Sequence, residues 1–429
     1  MSRVLLLATT TGYQTRAFGE AAERLGIDLV FATDRCHMID DPWRDQAIPI
    51  RFHDEPAAVA GILAVAESRP LHGILVVGDR PTVIGARVAH ALGIPGHPAA
   101  AAAVARNKQR TRERFRAAGL GVPWFVATTT AADPYDVARS IRYPAVVKPA
   151  ALSGSRGVMR VDDPDAFVAA FDRLRTLLQS PDIRAERNEA HESVLVEGFI
   201  RGREYALEGL LHHGELHVLA IFDKPDPLDG PFFEETIYVT PSAAGPHEQD
   251  AIVDAVTRAA AAIGLAHGPV HAECRVNEDG VFVLEVAARP IGGLCARALR
   301  FNKRGREALP DQAPIPLEEL LLRHSLGESP EPWGRESFAS GVMMIPIPHR
   351  GIFRRMDGVD EARAVAGIDD IRVTAKADQL LIPLPEGASY LGFIFARAER
   401  PGDADCALRA AHRRLRFTIA PELPLLARG

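Results

Sequence analysis

The chain of 429 residues is 47% hydrophobic and 25% charged, with a formal net charge of −6 at pH 7. This length can bury a large core and indicates about three domains. Acids and bases are interspersed without a large basic field, and no segment approaches the roughly 18 uninterrupted apolar residues of a membrane helix. We therefore expect neither nucleic acid nor a membrane as a partner.

The N-terminal hundred residues alternate short β-rich segments with Ala-rich helical segments. The pattern predicts strands at residues 4–8, 29–33 and 73–77 and helices at 16–25 and 83–92. Strands that alternate with helices form a parallel sheet covered on both faces. The Gly- and Pro-rich segment 93–98 ends the pattern. We predict a first α/β domain over residues 1–97.

The middle of the chain predicts one long helix, residues 98–119, followed mostly by strands. A buried strand at 143–149 leads into a small polar loop at 153–157. The remaining elements are strands 122–128 and 158–161, helix 164–178, antiparallel strands 194–200, 204–211 and 216–222 with a turn at 212–215, and helix 248–263.

The tail of the chain predicts a small α+β unit after a boundary near residues 330–333. It combines strands at 341–346 and 390–396 with a last helix at 404–414. The predicted domains are therefore residues 1–97, 98–333 and 334–429.

Cysteine usage and the N-terminus favour a cytoplasmic protein. The apolar run 4–8 is followed at once by threonines, whereas a signal peptide has a longer apolar region and a cleavage site. The cysteines lie far apart, at Cys36, Cys274, Cys295 and Cys406. Scattered cysteines without metal-type spacing are typical of a reducing compartment.

A predicted strand pair, residues 270–276 and 281–289, brings two carboxylates face to face. With residues 278–280 as a three-residue hairpin loop that ends in a left-handed glycine, Glu273 falls opposite Glu285. Opposed side chains lie about 5 Å apart between Cβ atoms, and two anions so close repel unless a cation lies between them. The pair predicts an Mg²⁺ site, and the alternative is a solvated strand face.

Side-chain alternation along residues 281–289 predicts the two faces of that strand. One face carries Glu285, Ala287 and Arg289, and the other carries Phe282, Leu284 and Val286. The acidic pair therefore has an arginine beside it.

Lys148 ends a buried strand and precedes a loop of small residues, Ser153, Gly154 and Ser155. Such a loop brings backbone amides close to an anion, which favours phosphate binding. It is not a Walker loop, because the lysine precedes the glycines. The alternative for Lys148 is a lysine that extends to water from a strand end.

The segment 194–200 is apolar apart from Glu197, and Glu204 follows it closely. An exposed backbone edge there could pair with an adenine, with Glu197 accepting from the exocyclic amine and Glu204 binding a ribose diol. The alternative is that both acids occupy exposed strand positions.

Seven segments, in this order, resemble those of the ATP-grasp superfamily. They are residues 107–108, 146–149, 153–157, 196–200, 202–205, 272–273 and 284–289. The resemblance covers residues 98–299 and implies an ATP-grasp fold, α/β and α+β in class, with an N-terminal parallel-sheet α/β domain and a small C-terminal α+β domain.

A closer resemblance is to the L-amino-acid ligases, the dipeptide-forming branch of bacilysin type. It rests on residues 220–224, 239–242, 285–289 with Gly292 and Gly293, and the tail 341–417. One departure is Ala287, which stands where the superfamily often has an Asn that binds a second metal ion.

The resemblance implies that ATP activates a carboxylate as an acyl phosphate, which an amine attacks to give an amide, ADP and phosphate. The implied partners are small-molecule substrates of amino-acid type, and a homodimer is compatible with the family. Mg²⁺ is the implied metal, with Mn²⁺ as an alternative.

The resemblance also implies a binding role for each site residue. The residues implied to bind the ATP phosphates are Lys108, Lys148, Ser153, Gly154 and Ser155; those for the adenine are Glu197, Phe199 and Ile200; that for the ribose is Glu204; those for the metal are Glu273 and Glu285; that for the transferred phosphoryl group is Arg289; and those for the substrate are Asp223, Lys224, Arg289, Gly292 and Gly293.

Two other functions remain open. One is an ATP-grasp ligase or carboxylase of primary metabolism, against which the amino-acid-ligase tail stands. The other is a non-catalytic nucleotide-binding protein, against which the complete set of Lys, Glu and Arg residues stands. A dehydrogenase is disfavoured, because the first domain lacks a G-x-G-x-x-G fingerprint.

Overall fold

The computed structural model describes residues 1–9, 14–34, 47–304 and 313–422. Cys36 lies outside these ranges. Within them, no helix is both long enough and apolar enough to cross a bilayer.

The N-terminal unit is a parallel sheet, as predicted, and the structure shows its strand order to be β3-β2-β1-β4. Its strands are β1 (Arg3–Leu7), β2 (Asp28–Thr33), β3 (Ile48–Pro49) and β4 (Gly73–Val76), and its helices are α1 (Thr15–Leu25), α2 (Glu55–Ser68) and α3 (Thr82–Leu92). β1 is buried along its whole length, because Val4 and Leu6 pack on the side of α1 while Leu5 and Leu7 pack on the side of α2 and α3. The first sheet is therefore covered on both faces.

The second unit is an antiparallel sheet in the order β5-β8-β6-β7. Its elements, with the helices before and beside it, are α4 (Ala99–Ala105), α5 (Lys108–Ala117), β5 (Phe125–Thr129), α6 (Pro134–Ser140), β6 (Ala145–Pro149), β7 (Met159–Val161), α7 (Pro164–Leu178), α8 (Pro181–Arg184) and β8 (Ser193–Gly198). Phe167, Phe171 and Leu174 of α7 pack against the sheet and form its core.

The single helix predicted for residues 98–119 is wrong, because the structure has two helices separated at Arg106 and Asn107. The Asn107 side chain accepts a hydrogen bond from the Arg110 N–H at 3.0 Å and so caps α5. Asn favours such a cap over a helix interior. The break leaves Lys108 as the first residue of α5.

The central sheet has the order β13-β12-β9-β10-β11-β17-β21-β19. Its first part comprises β9 (Arg203–His212), β10 (Glu215–Lys224), β11 (Ile237–Thr240), β12 (Gly268–Asn277) and β13 (Gly280–Ala287), with α9 (Pro246–Ile263) packed on it. The tail adds β17 (Ala339–Ile345), β19 (Ile368–Val373) and β21 (Gly392–Ala398). β17 pairs with β11, so the sheet continues across the predicted boundary at residue 333. The domain limits themselves stay a prediction.

The remaining elements complete the fold around that sheet. They are β14 (Arg300–Lys303), β15 (Ile315–Pro316), α10 (Leu317–Ser325), β16 (Trp333–Arg335), β18 (Gly351–Asp357), α11 (Val359–Arg363), β20 (Leu380–Leu381), α12 (Pro401–His412) and β22 (Arg416–Ala420). α12 packs on β17 and β21 through Ala404, Leu408 and Ala411.

The hairpin of β12 and β13 pairs Glu273 with Glu285, as predicted. The loop differs, because Asn277 pairs with Gly280 and leaves two residues, not three, in the turn. The register then shifts next to Glu273, so that Leu284 has no partner across the pair. The bulge compensates for the shorter loop and restores the predicted carboxylate pair.

The predicted face shared by Leu284 and Val286 is wrong for the same reason. A bulge inserts one extra residue and interrupts the alternation of side chains. Leu284 and Glu285 therefore line the same cavity, whereas Val283 and Val286 lie in the core.

Candidate active site

A cavity of about 510 Å³ lies where the N-terminal unit, the second unit, the central sheet and the tail meet. Cavities of this size hold small-molecule ligands. Asp79 contributes to it from the N-terminal unit, the 153–155 loop and Phe199 from the second unit, and Tyr390 from the tail. The cavity therefore depends on all parts of the chain.

The floor of the cavity is formed by β12, whose side chains alternate. His271, Glu273 and Arg275 line the cavity, while Ala272 and Cys274 lie in the core on the other face. Because the period of a strand is two residues, one strand supplies three polar groups in a row.

Lys224 holds three of the carboxylates together. Its Nζ lies 2.8 Å from Glu204, 2.8 Å from Glu235 and 3.1 Å from Glu273. The Arg275 Nε donates a hydrogen bond to Glu204 at 2.8 Å and so forms a second ion pair with this carboxylate. Burial lowers the pKa of Lys224, but the three carboxylates outweigh it and hold the pKa well above its usual range.

One of these carboxylates, that of Glu235, is readily protonated near neutral pH. Burial and the nearby charge of Glu273 raise the pKa of Glu235 to about 7. Burial would also raise the pKa of Glu273, but Lys224 and His271 hold it well below its usual range. The Glu273 carboxylate is therefore ionised at neutral pH.

Glu273 and Glu285 fit a hard divalent cation. Both line the cavity from directly opposed positions, and both offer carboxylate oxygens, the ligands that Mg²⁺ prefers. Glu273 also accepts from the Tyr238 hydroxyl at 3.2 Å, and Glu285 lies 3.3 Å from the Lys108 ammonium. Ala287 is buried and adds no ligand atom.

Glu197 is buried with two cations, so its carboxylate is not exposed as the alternative interpretation expected. Arg112, itself fully buried, donates to both Glu197 oxygens at 2.8 and 3.2 Å, and Lys148 donates to one of them. Burial would raise the pKa of Glu197, but these cations lower it to about 2. Its side chain therefore orients Lys148, and contact of that carboxylate with an adenine amine would require this ion pair to open.

Lys148 itself faces the cavity from the end of β6. Burial lowers the pKa of its ammonium to about 8, even though Glu197 counteracts this effect. Lys148 is therefore largely protonated at neutral pH and close to the pH at which it would lose its charge.

Arg112 also connects this ion pair to the bulge. Its Nη1 donates to the backbone carbonyls of Val283 and Leu284 at 3.2 and 2.9 Å. These bonds fix the backbone immediately before Glu285.

The 153–155 loop lines the cavity in a left-handed conformation, with φ of 64° at Gly154 and 55° at Ser155. Just beyond it, the Gly157 N–H donates to the Pro385 carbonyl at 2.8 Å and Arg156 donates to the Glu386 carbonyl at 2.7 Å. The tail therefore fixes the position of the loop.

Phe199 and Ile200 line the cavity at the end of β8. The Phe199 ring lies below the guanidinium of Arg160 at 4.4 Å, and the Ile200 carbonyl accepts from Arg275 at 2.7 Å. A flat apolar surface of this kind suits a purine ring.

Arg289 is held by an acid from the N-terminal unit. Its Nε and Nη2 donate to the two oxygens of Asp79 at 2.8 and 3.2 Å, and its Nη1 donates to the Pro290 carbonyl at 3.0 Å. Burial by itself would lower the pKa of Arg289. The Asp79 carboxylate counteracts burial and raises that pKa above its usual value, so the guanidinium stays charged.

The segment after Arg289 is fixed by a second buried pair. The Ile291 N–H donates to both oxygens of Glu208 at 3.1 Å, and Glu208 lies 3.1 Å from His271 Nδ1. A Cβ at Gly292 would meet nothing within 4 Å, whereas one at Gly293 would lie 3.2 Å from the Phe393 ring. Open space beside Arg289 is therefore present at Gly292 but limited at Gly293.

The geometry does not support direct substrate contact by Asp223 and Lys224. Asp223 accepts from the Ser242 hydroxyl at 2.5 Å and the Ala243 N–H at 2.8 Å, so its carboxylate fixes a loop outside the cavity. Lys224 touches the cavity carboxylates without lining the cavity itself. Both residues therefore hold other residues in place. Side-chain alternation along β10 determines where Asp223 and Lys224 point, and the loop after β11 provides the partners of Asp223.

Sequence reasoning missed several cavity residues. A signal existed for His271 and Arg275, two residues before and after Glu273 on one strand, and for Asp79, which follows a predicted strand of the parallel sheet. Glu235 gave none, since it lies in an irregular segment before β11.

Family models match three segments of the chain: an ATP-grasp N-terminal domain at residues 19–96, an ATP-grasp domain at 141–298 and an L-amino acid ligase C-terminal domain 2 at 343–420. The crystal structure of an L-amino acid ligase from Bacillus licheniformis is similar with a TM-score of 0.81 at 28% identity, covering 98% of this chain and 99% of that one. This chain belongs to the ATP-grasp superfamily. Its resemblance to the L-amino-acid ligases within that superfamily is confirmed.

Two curated relatives are similar to this chain. Alanine–anticapsin ligase of Bacillus subtilis is 29% identical over 259 residues, which are 56% of this chain and 53% of that ligase. The protein y4rH of Sinorhizobium fredii is 25% identical over 435 residues, covering 98% of this chain and 84% of that protein. The chain thus spans about half the length of the ligase and most of the second relative.

We predict that Lys148→Ala will lower kcat/KM for ATP by roughly 10- to 100-fold, because a charged hydrogen bond contributes about 1.5–3 kcal/mol. Steady-state kinetics over an ATP series measures the change. Lys376→Ala, which removes an exposed lysine of the tail, is the matched control and should leave the kinetics unchanged. Normal ATP kinetics in a folded Lys148→Ala enzyme would refute a phosphate contact.

We predict that Arg289→Lys will lower kcat by at least ~10²-fold while nucleotide affinity changes much less. Lysine keeps the charge but loses the planar fork, which matters most for charge that develops in the transition state. Asp79→Asn keeps the fork and should cost less. Turnover of Arg289→Lys within about threefold of wild type would instead make Arg289 a structural partner of Asp79.

Proposed function

We propose that this chain is an ATP-dependent carboxylate–amine ligase that forms a dipeptide-like amide bond between amino-acid-type substrates through an acyl phosphate. The observation that carries the proposal is one cavity whose lining includes two lysines, two opposed carboxylates and one arginine: Lys108, Lys148, Glu273, Glu285 and Arg289. Cations at a triphosphate, oxygen ligands for a metal and a planar cation beyond them are the groups that phosphoryl transfer to a carboxylate requires.

The phosphate side is supported by the two lysines and the 153–155 loop. The Lys108 Nζ donates to the Leu152 carbonyl at 2.7 Å, which holds its ammonium next to the loop. Lys148 is oriented by its ion pair with Glu197. Both would bind phosphate oxygens, and left-handed residues in the loop leave backbone amides free to approach an anion.

Glu273 and Glu285 would hold Mg²⁺, and their oxygens also suit Mn²⁺. Bound metal would neutralise negative charge on the triphosphate as the γ-phosphoryl group is transferred. Lys224 and His271 keep Glu273 ionised, and the Lys108 ammonium lies 3.3 Å from Glu285. These partners support the site before any metal arrives.

Arg289 would bind the transferred phosphoryl group and the oxyanion at the acyl carbon. A guanidinium has five N–H groups, and within the described residues Asp79 and Pro290 accept three of them. The other two remain for a ligand. Asp79 fixes the plane of the fork, so these donors are already oriented when charge develops.

Water must be excluded because an acyl phosphate hydrolyses. The 153–155 loop would serve as the cover, and its bonds to Pro385 and Glu386 support a closed position. Movement of substrates would require these bonds to break and reform.

The cavity supports amino-acid-type substrates by its mixed chemistry. Such a molecule has an ammonium, a carboxylate and a side chain. The cavity offers carboxylates for the first and the Arg289 guanidinium for the second. Its apolar wall, which would contact the third, is formed by Tyr238, Met344, Tyr390 and Phe393.

The test is a matrix of amino-acid pairs with ATP and Mg²⁺, in which phosphate release and the mass of the amide product are measured together. We expect phosphate release that depends on both partners and a product whose mass equals the two substrates minus water. ATP hydrolysis without an amide for every pair, or a product that requires bicarbonate, would replace the proposal by another ATP-grasp reaction. Nucleotide binding without turnover would indicate a non-catalytic protein.

We predict that Glu273→Gln and Glu285→Gln will each lower ligation by at least ~10²-fold, because the loss of one anion weakens the metal site that phosphoryl transfer needs. ATP binding should partly persist. Glu278→Gln, an exposed change in the turn of the same hairpin, is the control and should remain active. Near-normal turnover by both site variants at ordinary Mg²⁺ would remove the metal assignment.

A further inference from the structure

A second cluster of metal-ligating side chains lies outside the cavity, one of them four residues along the chain from the cavity residue His271. His212 ends β9, His267 lies just before β12 and His324 lies in the last turn of α10. Eight residues of extended strand separate Glu204 from His212, which corresponds to about 27 Å. The histidine cluster, defined as His212, His267 and His324, is therefore separate from the ATP-grasp site.

The three rings converge. His212 Nδ1 lies 3.3 Å from His324 Nε2, and the rings of His267 and His324 stack with centroids 4.3 Å apart. One nitrogen of each of the three side chains lies within 4.8 Å of the other two. A tetrahedral ion with metal–nitrogen bonds of about 2.0–2.1 Å needs nitrogens about 3.4 Å apart, so small side-chain rotations would complete the geometry.

Neighbouring backbone contacts fix these rings without using every nitrogen. The His213 N–H donates to His267 Nδ1 at 3.4 Å, which leaves His267 Nε2 as the nitrogen that a metal ion would use. The adjacent His97 differs, because its two nitrogens contact the Ala266 N–H and the Pro269 carbonyl at 3.3 and 3.0 Å. His97 is therefore a structural residue and not a candidate ligand.

The chemical state of the cluster also suits a metal. Burial and the neighbouring imidazoles lower the pKa of His267 to about 4 and that of His324 to about 3, and the pKa of His212 is lowered by the same causes. These rings are therefore neutral at physiological pH, which is the form that binds a metal ion. All three imidazoles are uncharged and have a lone pair available, and two of them, His267 and His324, are buried.

We propose that His212, His267 and His324 form a binding site for a divalent transition metal ion of the Zn²⁺ class, separate from the Mg²⁺ site of the ligase. Imidazole nitrogens select such ions, whereas Mg²⁺ and Ca²⁺ prefer oxygen ligands. The fourth position would be taken by water or by His213, whose ring lies 4.5 Å from that of His212.

The ion would link three segments that are distant in sequence: the β9–β10 turn, the segment before β12 and α10. The turn already contacts the second segment through the Gly214 N–H, which donates to the Ala266 carbonyl at 2.7 Å. Because β9 and β12 carry Glu204 and Glu273 at their other ends, the site would stabilise the sheet that supports the cavity. Its role would be structural, since no substrate group of the ligase reaches it.

The experiment uses the full chain, treated with chelator and dialysed into excess Mg²⁺, which saturates the oxygen sites. Titration with Co²⁺ should give the intense visible absorption of a tetrahedral nitrogen-ligated ion, at one ion per chain, and Zn²⁺ should displace it. His212→Ala should weaken Co²⁺ binding at least ~10-fold, the lower limit seen even for loss of outer-shell partners. His217→Ala, a neighbouring histidine outside the cluster, should bind normally.

Two further measurements keep the result interpretable. Zn²⁺ should raise the Tm of the wild type and of His217→Ala but not that of His212→Ala, and His324→Gln should give the same loss with native circular dichroism. Binding of Co²⁺ by wild type and His212→Ala with equal affinity, or no binding at one equivalent, would overturn the proposal. Loss of ligase activity alone would not bear on it, so its failure is distinguishable from failure of the proposed function.

Discussion

The cavity depends on the neutralisation of buried carboxylates by a few buried cations. Glu204, Glu235 and Glu273 lie so close together that in a medium of low dielectric they would repel strongly, and a single ammonium, that of Lys224, contacts all three. Removal of one partner from a buried ion pair typically costs about 3–5 kcal/mol, because the other charge is left unpaired. Lys224 therefore determines whether β9, β12 and the segment before β11 can bring these three acids together at all.

The same rule explains why the other acids of the cavity have fixed orientations. Glu197 is paired with Arg112 and Lys148, Asp79 with Arg289, and Glu208 with His271 and a backbone N–H. Each pair joins segments that are at least 49 residues apart in the chain. The ion pairs that make burial tolerable thus also hold the separate units in register, which is the preorganisation that an electrostatic mechanism requires.

The bulge at Leu284 shows how the local backbone adjusts to this network. Arg112 donates to the carbonyls of Val283 and Leu284, while Glu285 next to them faces Lys108. A hairpin with a two-residue turn and no bulge would have turned Glu285 to the core side. The extra residue keeps Val283 and Val286 in the core and Glu285 in the cavity at the same time.

The sequence by itself determined the elements whose periodicity is strong. The parallel sheet of the N-terminal unit, α7 and the central antiparallel strands follow from runs of apolar residues with a period of 3.6 or 2, and the carboxylate pair follows from hairpin pairing. The order of short motifs also indicated the ATP-grasp superfamily, because such motifs combine a residue type with a fixed neighbour. These features are local in the chain, and local features can be read from it.

Only the tertiary structure decided which groups meet across the chain. Asp79 reaches Arg289 over 210 residues and Arg112 reaches Glu197 over 85, and no periodicity specifies either partner. The same limit explains why periodicity does not reveal that Glu235 lines the cavity or that the Asp223 carboxylate accepts from Ser242. A side chain at a strand end or in an irregular segment takes its direction from whichever charged neighbour neutralises it, and that neighbour is chosen by packing, not by sequence separation.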